Sequence, residues 1–155
     1  MEQLHDFDGL LLAPMAQPML EGFKKGAWKW LEGLTDEYKE KFGKMFVVSG
    51  PVFRNNSQTT PSHYYRLLLK CSDGRWNAEG DACSVPSKAD VLAFVLPHVD
   101  APTNFCQPPP EYLLTQTARL RDIEGLTGLE FFADPDKWPV DESLRLRTHV
   151  ALRLW

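Results

Sequence analysis

Lys24, Lys25 and Lys29, interleaved with Trp28 and Trp30, form the one basic and aromatic cluster in a chain of 155 residues with a net charge of −4. Side chains of these types can dock a phosphate or stack against a base or sugar. The same pattern also describes a helix face on which lysine stems snorkel over half-buried rings, and that is the reading favoured. Glu32 is the nearby carboxylate. Alone, it is a solvated helix residue before it is a catalytic group. The imidazoles are His5, His63, His98 and His149. His63 and His98 sit at the ends of apolar segments, where a hydrogen-bonded structural imidazole is expected rather than a metal ligand. His5 stands near the terminus and His149 in the tail. No Ser-His-Asp spacing, glycine-rich phosphate loop or Cys-x-x-Cys pair points to another reaction.

Cys71 and Cys83 flank a polar, glycine-containing stretch, residues 72–82, which is a natural place for a local disulfide. Their spacing is not a zinc pattern. Cys106 is left over, and an odd cysteine in an oxidising compartment suggests a partner outside the chain. Three inert thiols in a cytosolic protein are the other reading, since disulfides are rare there. Met1 is followed by Glu-Gln-Leu-His-Asp, with no basic or apolar leader, which taken alone points to the cytosol.

The elements that must position these residues follow from apolar spacing. Leu20, Phe23, Ala27, Leu31, Leu34, Tyr38 and Phe42 recur at steps of three and four, predicting one amphipathic helix that stops at Gly43. A short buried strand over 44–49 follows, ended by Gly50-Pro51. Residues 54–62 read as a loop, and 64–70 and 89–96 as interior strands, the second halted by Pro97. Residues 100–110, with Pro102 and Pro108-Pro109-Pro110, predict an extended connector carrying Cys106. Leu113, Thr117, Leu120, Ile123 and Thr127 share one helical face, so a second helix should close near Gly125 or Gly128. The tail, 134–155, alternates Leu144, Leu146, Val150, Leu152 and Leu154 and is expected to be mostly extended, although Asp141-Glu142-Ser143 could also open a helix.

The totals describe an ordinary soluble domain, with 43% hydrophobic and 25% charged residues. A chain this long buries about 68–70% of its extended surface, enough for one core. No apolar run approaches the roughly 20 residues needed to span a bilayer. The acidic balance argues against tight, sequence-independent binding of nucleic acid, which needs a field of Lys and Arg.

Several blocks occur in a recognisable order: Pro18-Met19 ahead of Phe23, then Val47-Val48-Ser49-Gly50-Pro51-Val52-Phe53, Pro61-Ser62-His63-Tyr64-Tyr65 and Ala93-Phe94-Val95-Leu96-Pro97-His98. The longest is Thr117-Ala118-Arg119-Leu120-Arg121-Asp122-Ile123-Glu124-Gly125-Leu126-Thr127-Gly128-Leu129-Glu130-Phe131-Phe132. On these blocks residues 14–150 resemble the nuclease-like domain of the ectonucleotide pyrophosphatase/phosphodiesterases, within the DNA/RNA non-specific endonuclease superfamily. The resemblance implies an α+β domain: a partial ββα-metal nuclease-like fold, with a mostly antiparallel sheet, a long amphipathic helix and a second helix. It implies that residues 1–155 are a single domain, N-terminally incomplete, whose upstream strands are absent. It implies an extracellular setting, one short disulfide in the loop of Cys71 and Cys83, and Cys106 as a tether to a separate catalytic domain.

Active members of the superfamily use one divalent cation, a histidine base from an Asp-Arg-Gly-His motif, a metal-binding Asn and a Glu two turns further on. The carry-over fails almost everywhere. No Asp-Arg-Gly-His occurs, and His5 is the one imidazole near enough to be a relocated base. The metal-binding Asn matches Lys24, whose ammonium repels a cation and offers it no lone pair. The family's Asn-x-x-Pro-Gln becomes Met15-Ala16-Gln17-Pro18-Met19. Glu32 does match the supporting glutamate. The expected function is therefore a noncatalytic domain, without a cofactor, that braces the phosphodiesterase domain of a longer chain. A metal-dependent nuclease or phosphodiesterase is the alternative, needing a divalent cation, a substitute base and a substitute ligand. A stand-alone binding protein using the lysine-tryptophan face is a third reading.

Overall fold

The structure, a computed structural model, describes residues 3–5, 19–55, 59–100 and 108–155. Its sheet is organised around β3, His63–Cys71, whose apolar side chains face both ways. Tyr65, Leu67 and Leu69 enter one buried cluster, and Tyr64 and Leu68 enter the other. A strand covered on both faces must be apolar at almost every position, which is why this segment reads as a continuous run rather than an alternation. β2, Phe46–Val52, pairs antiparallel with one side of β3, with Val48 opposite Leu67 and Ser49 opposite Arg66. β4, Ala89–Pro97, pairs antiparallel with the other side, with Leu67 opposite Ala93.

A further strand, β1, Gln3–His5, runs antiparallel to Val47–Ser49, giving the sheet order β1-β2-β3-β4. The sequence reading identified no strand ahead of the first helix. β2 also runs past the expected stop at Gly50-Pro51. Pro51 lies beyond the last β1–β2 pair, Gln3 opposite Ser49, and is paired with Tyr64 of β3.

The predicted first helix is present but broken. α1 spans Glu21–Lys25 and α2 spans Ala27–Phe42, with Gly26 between them at φ −102° and ψ −109°. α2 stops as expected at Gly43, whose φ of +82° favours glycine and whose N–H reaches Lys39 O at 2.9 Å. Phe23, Trp28, Leu31 and Tyr38 bury this face against Tyr64, Leu68, Leu92 and Phe94 of the sheet. Each such side chain contributes about 1.5–3 kcal/mol on burial.

The second helix differs more. α3, Pro109–Thr115, begins inside the proline run, with prolines in its first turn where an N–H has no helical partner anyway. The connector therefore ends before Pro109; residues 101–107, including Cys106, lie outside the described residues. At 116–118 the chain pairs with the free edge of β4: Val95 N–H donates to Gln116 O and Ala118 N–H to Ala93 O, both at 3.0 Å. Only then does α4, Leu120–Thr127, form, capped by Gly128 at φ +76°. Satisfying the edge strand's backbone groups outweighs helical continuity here. The crossing also moves the chain from one face of the sheet to the other, since Leu113 joins one cluster and Leu120 and Ile123 the other.

The tail expectation is corrected as well. α5 spans Val140–Thr148, entered from Pro139, with Asp141 and Glu142 in its first turn and Arg145 and Arg147 in its last, the arrangement that suits the helix dipole. Leu146 is buried while Leu144 is half-exposed, so the alternation that suggested a strand was accidental. Residues 149–155 then return across the sheet, and Trp155 N–H donates to the Tyr38 hydroxyl at 3.0 Å. Cys71 and Cys83 are joined in a disulfide, Cα–Cα 5.6 Å. The fold is thus α+β, a mostly antiparallel sheet with α1, α2 and α3 on one face and α4 and α5 on the other.

Candidate functional site

The lysine cluster does not act as one unit. Lys24 is exposed on α1, and Lys25 pairs with Glu21 at 3.0 Å on an exposed surface, holding the Glu21 carboxyl below its ordinary pKa. Lys25 and Lys29 line a shallow groove of about 530 Å³ with Trp30, Leu34, Pro109 and Pro110, while Lys24 lies outside it. Trp28 is turned inward, only 4% exposed, and Trp30 packs edge-on against Tyr112 with centroids 5.8 Å apart. The tryptophans are therefore not an interleaved stacking platform. One is core, and one lines the groove.

What Trp28 packs against is the feature that sequence reading missed. Arg66, in the middle of β3, is 5% exposed. Its Nε donates to Ser49 Oγ at 2.8 Å, its Nη1 donates to Thr35 Oγ1 at 3.2 Å, and the guanidinium carbon lies 4.6 Å from the Trp28 ring centroid. The Thr35 hydroxyl in turn donates to Leu31 O at 2.7 Å. Burial pushes the Arg66 pKa down to about 10, opposed by the negative charges of Glu32 and Asp36. The guanidinium therefore stays charged at neutral pH, with Glu32 as part of its counter-charge. One signal was available: Arg66 and Ser49 are the polar interruptions of two apolar strands, and the pairing register sets them side by side.

The histidines have structural environments. Leu20 N–H donates to His98 Nε2 at 3.0 Å, so the ring's proton sits on Nδ1, which donates to Pro61 O at 2.9 Å. The ring also meets Phe23 and Tyr64 edge-on, both at 5.0 Å. Asp100 Oδ1 accepts from Gly22 N–H at 2.8 Å. His98 and Asp100 thereby fix the start of α1 to the end of β4, and with it the orientation of the Lys24 face. His63 Nδ1 lies 2.9 Å from Ser62 Oγ, and burial, with Arg54 nearby, lowers its pKa. His149 is exposed, and His5 is placed only by its backbone, opposite Val47. Among the described residues no group of three or more His, Cys, Asp or Glu side chains is placed to hold a metal ion.

The long block from Thr117 to Phe132 is spent on architecture. Arg119 grips both oxygens of Asp122 at 3.0 Å, and the Thr127 hydroxyl donates to Ile123 O. Glu124 accepts from Phe131 N–H at 2.8 Å and pairs with Arg147 of α5 at 2.8 Å. These contacts lock α4, the turn after it and α5 into one unit.

Against known proteins, the DNA/RNA non-specific endonuclease family model matches residues 17–137. The chain is 33% identical to ectonucleotide pyrophosphatase/phosphodiesterase family member 3 of Bos taurus, an alignment covering 93% of this chain and 19% of that protein. It is 29% identical to a venom phosphodiesterase of Macrovipera lebetinus, covering 94% of this chain and 19% of that one. The match thus spans a domain-sized part of much longer relatives. With the family model covering most of its length, the chain belongs to the DNA/RNA non-specific endonuclease family, and within it resembles the nuclease-like domain of the ectonucleotide pyrophosphatase/phosphodiesterases.

Proposed function

We propose that this chain is a noncatalytic nuclease-like domain that braces the phosphodiesterase domain of a longer, extracellular ectonucleotide pyrophosphatase/phosphodiesterase-type protein. The observation that carries this reading is the chemistry at the two positions that match the superfamily's cation-holding residues. Lys24 offers an ammonium, and Glu32 lies in the field of the buried Arg66 guanidinium. This pair does not fit a divalent ion, and no step of a metal-assisted hydrolysis is derived from it. The bracing role is supported by the alignment to only 19% of each relative, as expected of one domain in a larger chain. The Cys71–Cys83 disulfide supports an oxidising compartment, in keeping with the names of the relatives, one an ectoenzyme and one a venom enzyme. Lys24 as substituted metal ligand and Cys106 as interdomain tether remain part of the proposal.

Two measurements test it. The purified chain should show no Mg²⁺-dependent nicking of plasmid DNA; nicking abolished by EDTA and by Glu32→Ala would establish the alternative, an active metal-dependent nuclease. Mixed with the phosphodiesterase domain of bovine family member 3 expressed without its own matching segment, the chain should raise that domain's melting temperature. An unchanged melting temperature at saturating chain would remove the bracing role.

A further inference from the structure

On the opposite end of α2 from Lys24, the returning segment 149–155 closes a cleft of about 670 Å³ against the ends of β3, β4 and α5. That size suits a small molecule. Lys41, Lys70 and Arg153 line it, and none of them joins an ion pair among the described residues. The Lys70 and Lys41 ammoniums lie over the same Phe42 ring, 4.1 and 5.2 Å from its centroid, and Lys70 is also 4.7 Å from the Trp155 ring. Asp90 is the one acidic side chain in the lining. Arg145 also lines the cleft but is committed to Glu142 at 2.6 Å and to Ala89 O at 2.9 Å. Crowding like charges costs free energy that an anion between them would offset, and the cost is notable in a chain whose net charge is −4. Burial is the main cause that lowers the Lys70 pKa; Asp90 opposes it, and Lys41 adds a smaller push in the same direction.

The C-terminal ends of α2 and α5 oppose an anion with about half a charge each. The long cationic side chains carry full charges and reach further into the cleft. The wall is also held in place, since Trp155 packs on Tyr38 and Phe42 with centroids 5.3 and 5.9 Å apart. Two point-charge ammoniums and a forked guanidinium match a multiply charged tetrahedral anion better than a single carboxylate.

We propose that this cleft binds a small ligand bearing one or two phosphate groups, held by Lys41, Lys70 and Arg153 beside the Trp155 ring. The site shares no residue with the Lys24–Glu32 face, and it stands whether or not the chain braces another domain.

Calorimetric titration of the 155-residue chain with inorganic pyrophosphate, in low salt, tests this, with the Trp155 indole N–H followed by NMR. Saturable binding is expected, shifting the Trp155 indole signal more than those of buried Trp28 and Trp138. Affinity should fall at least tenfold in Lys70→Met and in Lys41→Met/Arg153→Met, and stay unchanged in Lys29→Met. The double variant alters two exposed side chains, so the test survives if Lys70→Met fails to fold. A parallel titration with AMP separates the sources: equal affinity assigns recognition to phosphate alone, and tighter binding adds stacking on Trp155. No saturable binding of pyrophosphate, or binding undiminished in the folded double variant, overturns the proposal.

Discussion

If Glu32 serves as counter-charge to Arg66 rather than as support for a metal's waters, its worth should depend on Arg66 being present. The Arg66 guanidinium is 5% exposed, makes two side-chain hydrogen bonds and stacks on Trp28. Arg66→Ala removes these contacts and leaves a cavity, for a cost of about 3–5 kcal/mol. Arg66→Met keeps the stem's volume and removes the desolvated charge, so it should cost at most about 1–2 kcal/mol, because a buried charge is often replaced by an apolar group with little loss. Glu32 is exposed, and solvent screens its attraction to Arg66. Glu32→Gln should therefore cost about 0.5–1 kcal/mol in the wild-type background and close to nothing in Arg66→Met. Urea unfolding followed by tryptophan fluorescence, run as a double-mutant cycle, measures this coupling. Equal costs of Glu32→Gln in both backgrounds would refute the counter-charge assignment.

The remaining expectations concern the frame. Reduction, or Cys71→Ser with Cys83→Ser, should lower stability by about 3 kcal/mol for a loop of this length; nonreducing peptide mapping of protein made in an oxidising compartment should find this pair, and three free thiols would contradict it. His98→Ala should cost about 2–3 kcal/mol in chemical denaturation, since it strands the Leu20 N–H and the Pro61 carbonyl, whereas His149→Ala should stay within about 0.5 kcal/mol. His63 has a folded pKa below its unfolded value of about 6.5. Its contribution to stability is present above that value and is lost as pH falls below it, because the unfolded chain then binds the extra proton. Denaturant midpoints between pH 7 and 5 should therefore decline less steeply in His63→Gln than in the wild type.

Much of the frame was legible because apolar spacing reports burial. The strand around Leu67–Leu69 and, apart from the break at Gly26, the helix stripe from Phe23 to Tyr38 occur where their residues placed them, and Gly43 stopped α2 through its positive φ. The errors share a cause, in that partners distant in sequence overrode a local pattern. Leu113 and Leu120 lie on one helical face on paper, yet the edge of β4 captured residues 116–118 and sent the two leucines to opposite faces of the sheet. Leu144 and Leu146 alternate like a strand, but the ion pair between Glu124 and Arg147, with Leu146 buried, draws that segment into α5. The buried arginine was hidden for the same reason, since nothing local to Tyr64–Lys70 shows that Ser49, Thr35 and Trp28 will converge on it. The proposal that Lys24 replaces a metal ligand rests on residue identity, because an ammonium is a poor cation ligand wherever it is placed.

The central claim, that the face carrying Lys24 and Glu32 does not hold a catalytic cation, is tested most directly by calorimetric titration of the purified chain with Mg²⁺ and Mn²⁺. The account predicts no saturable heat for either ion, in the wild type and in Glu32→Gln alike. Stoichiometric binding that disappears in Glu32→Gln would contradict it.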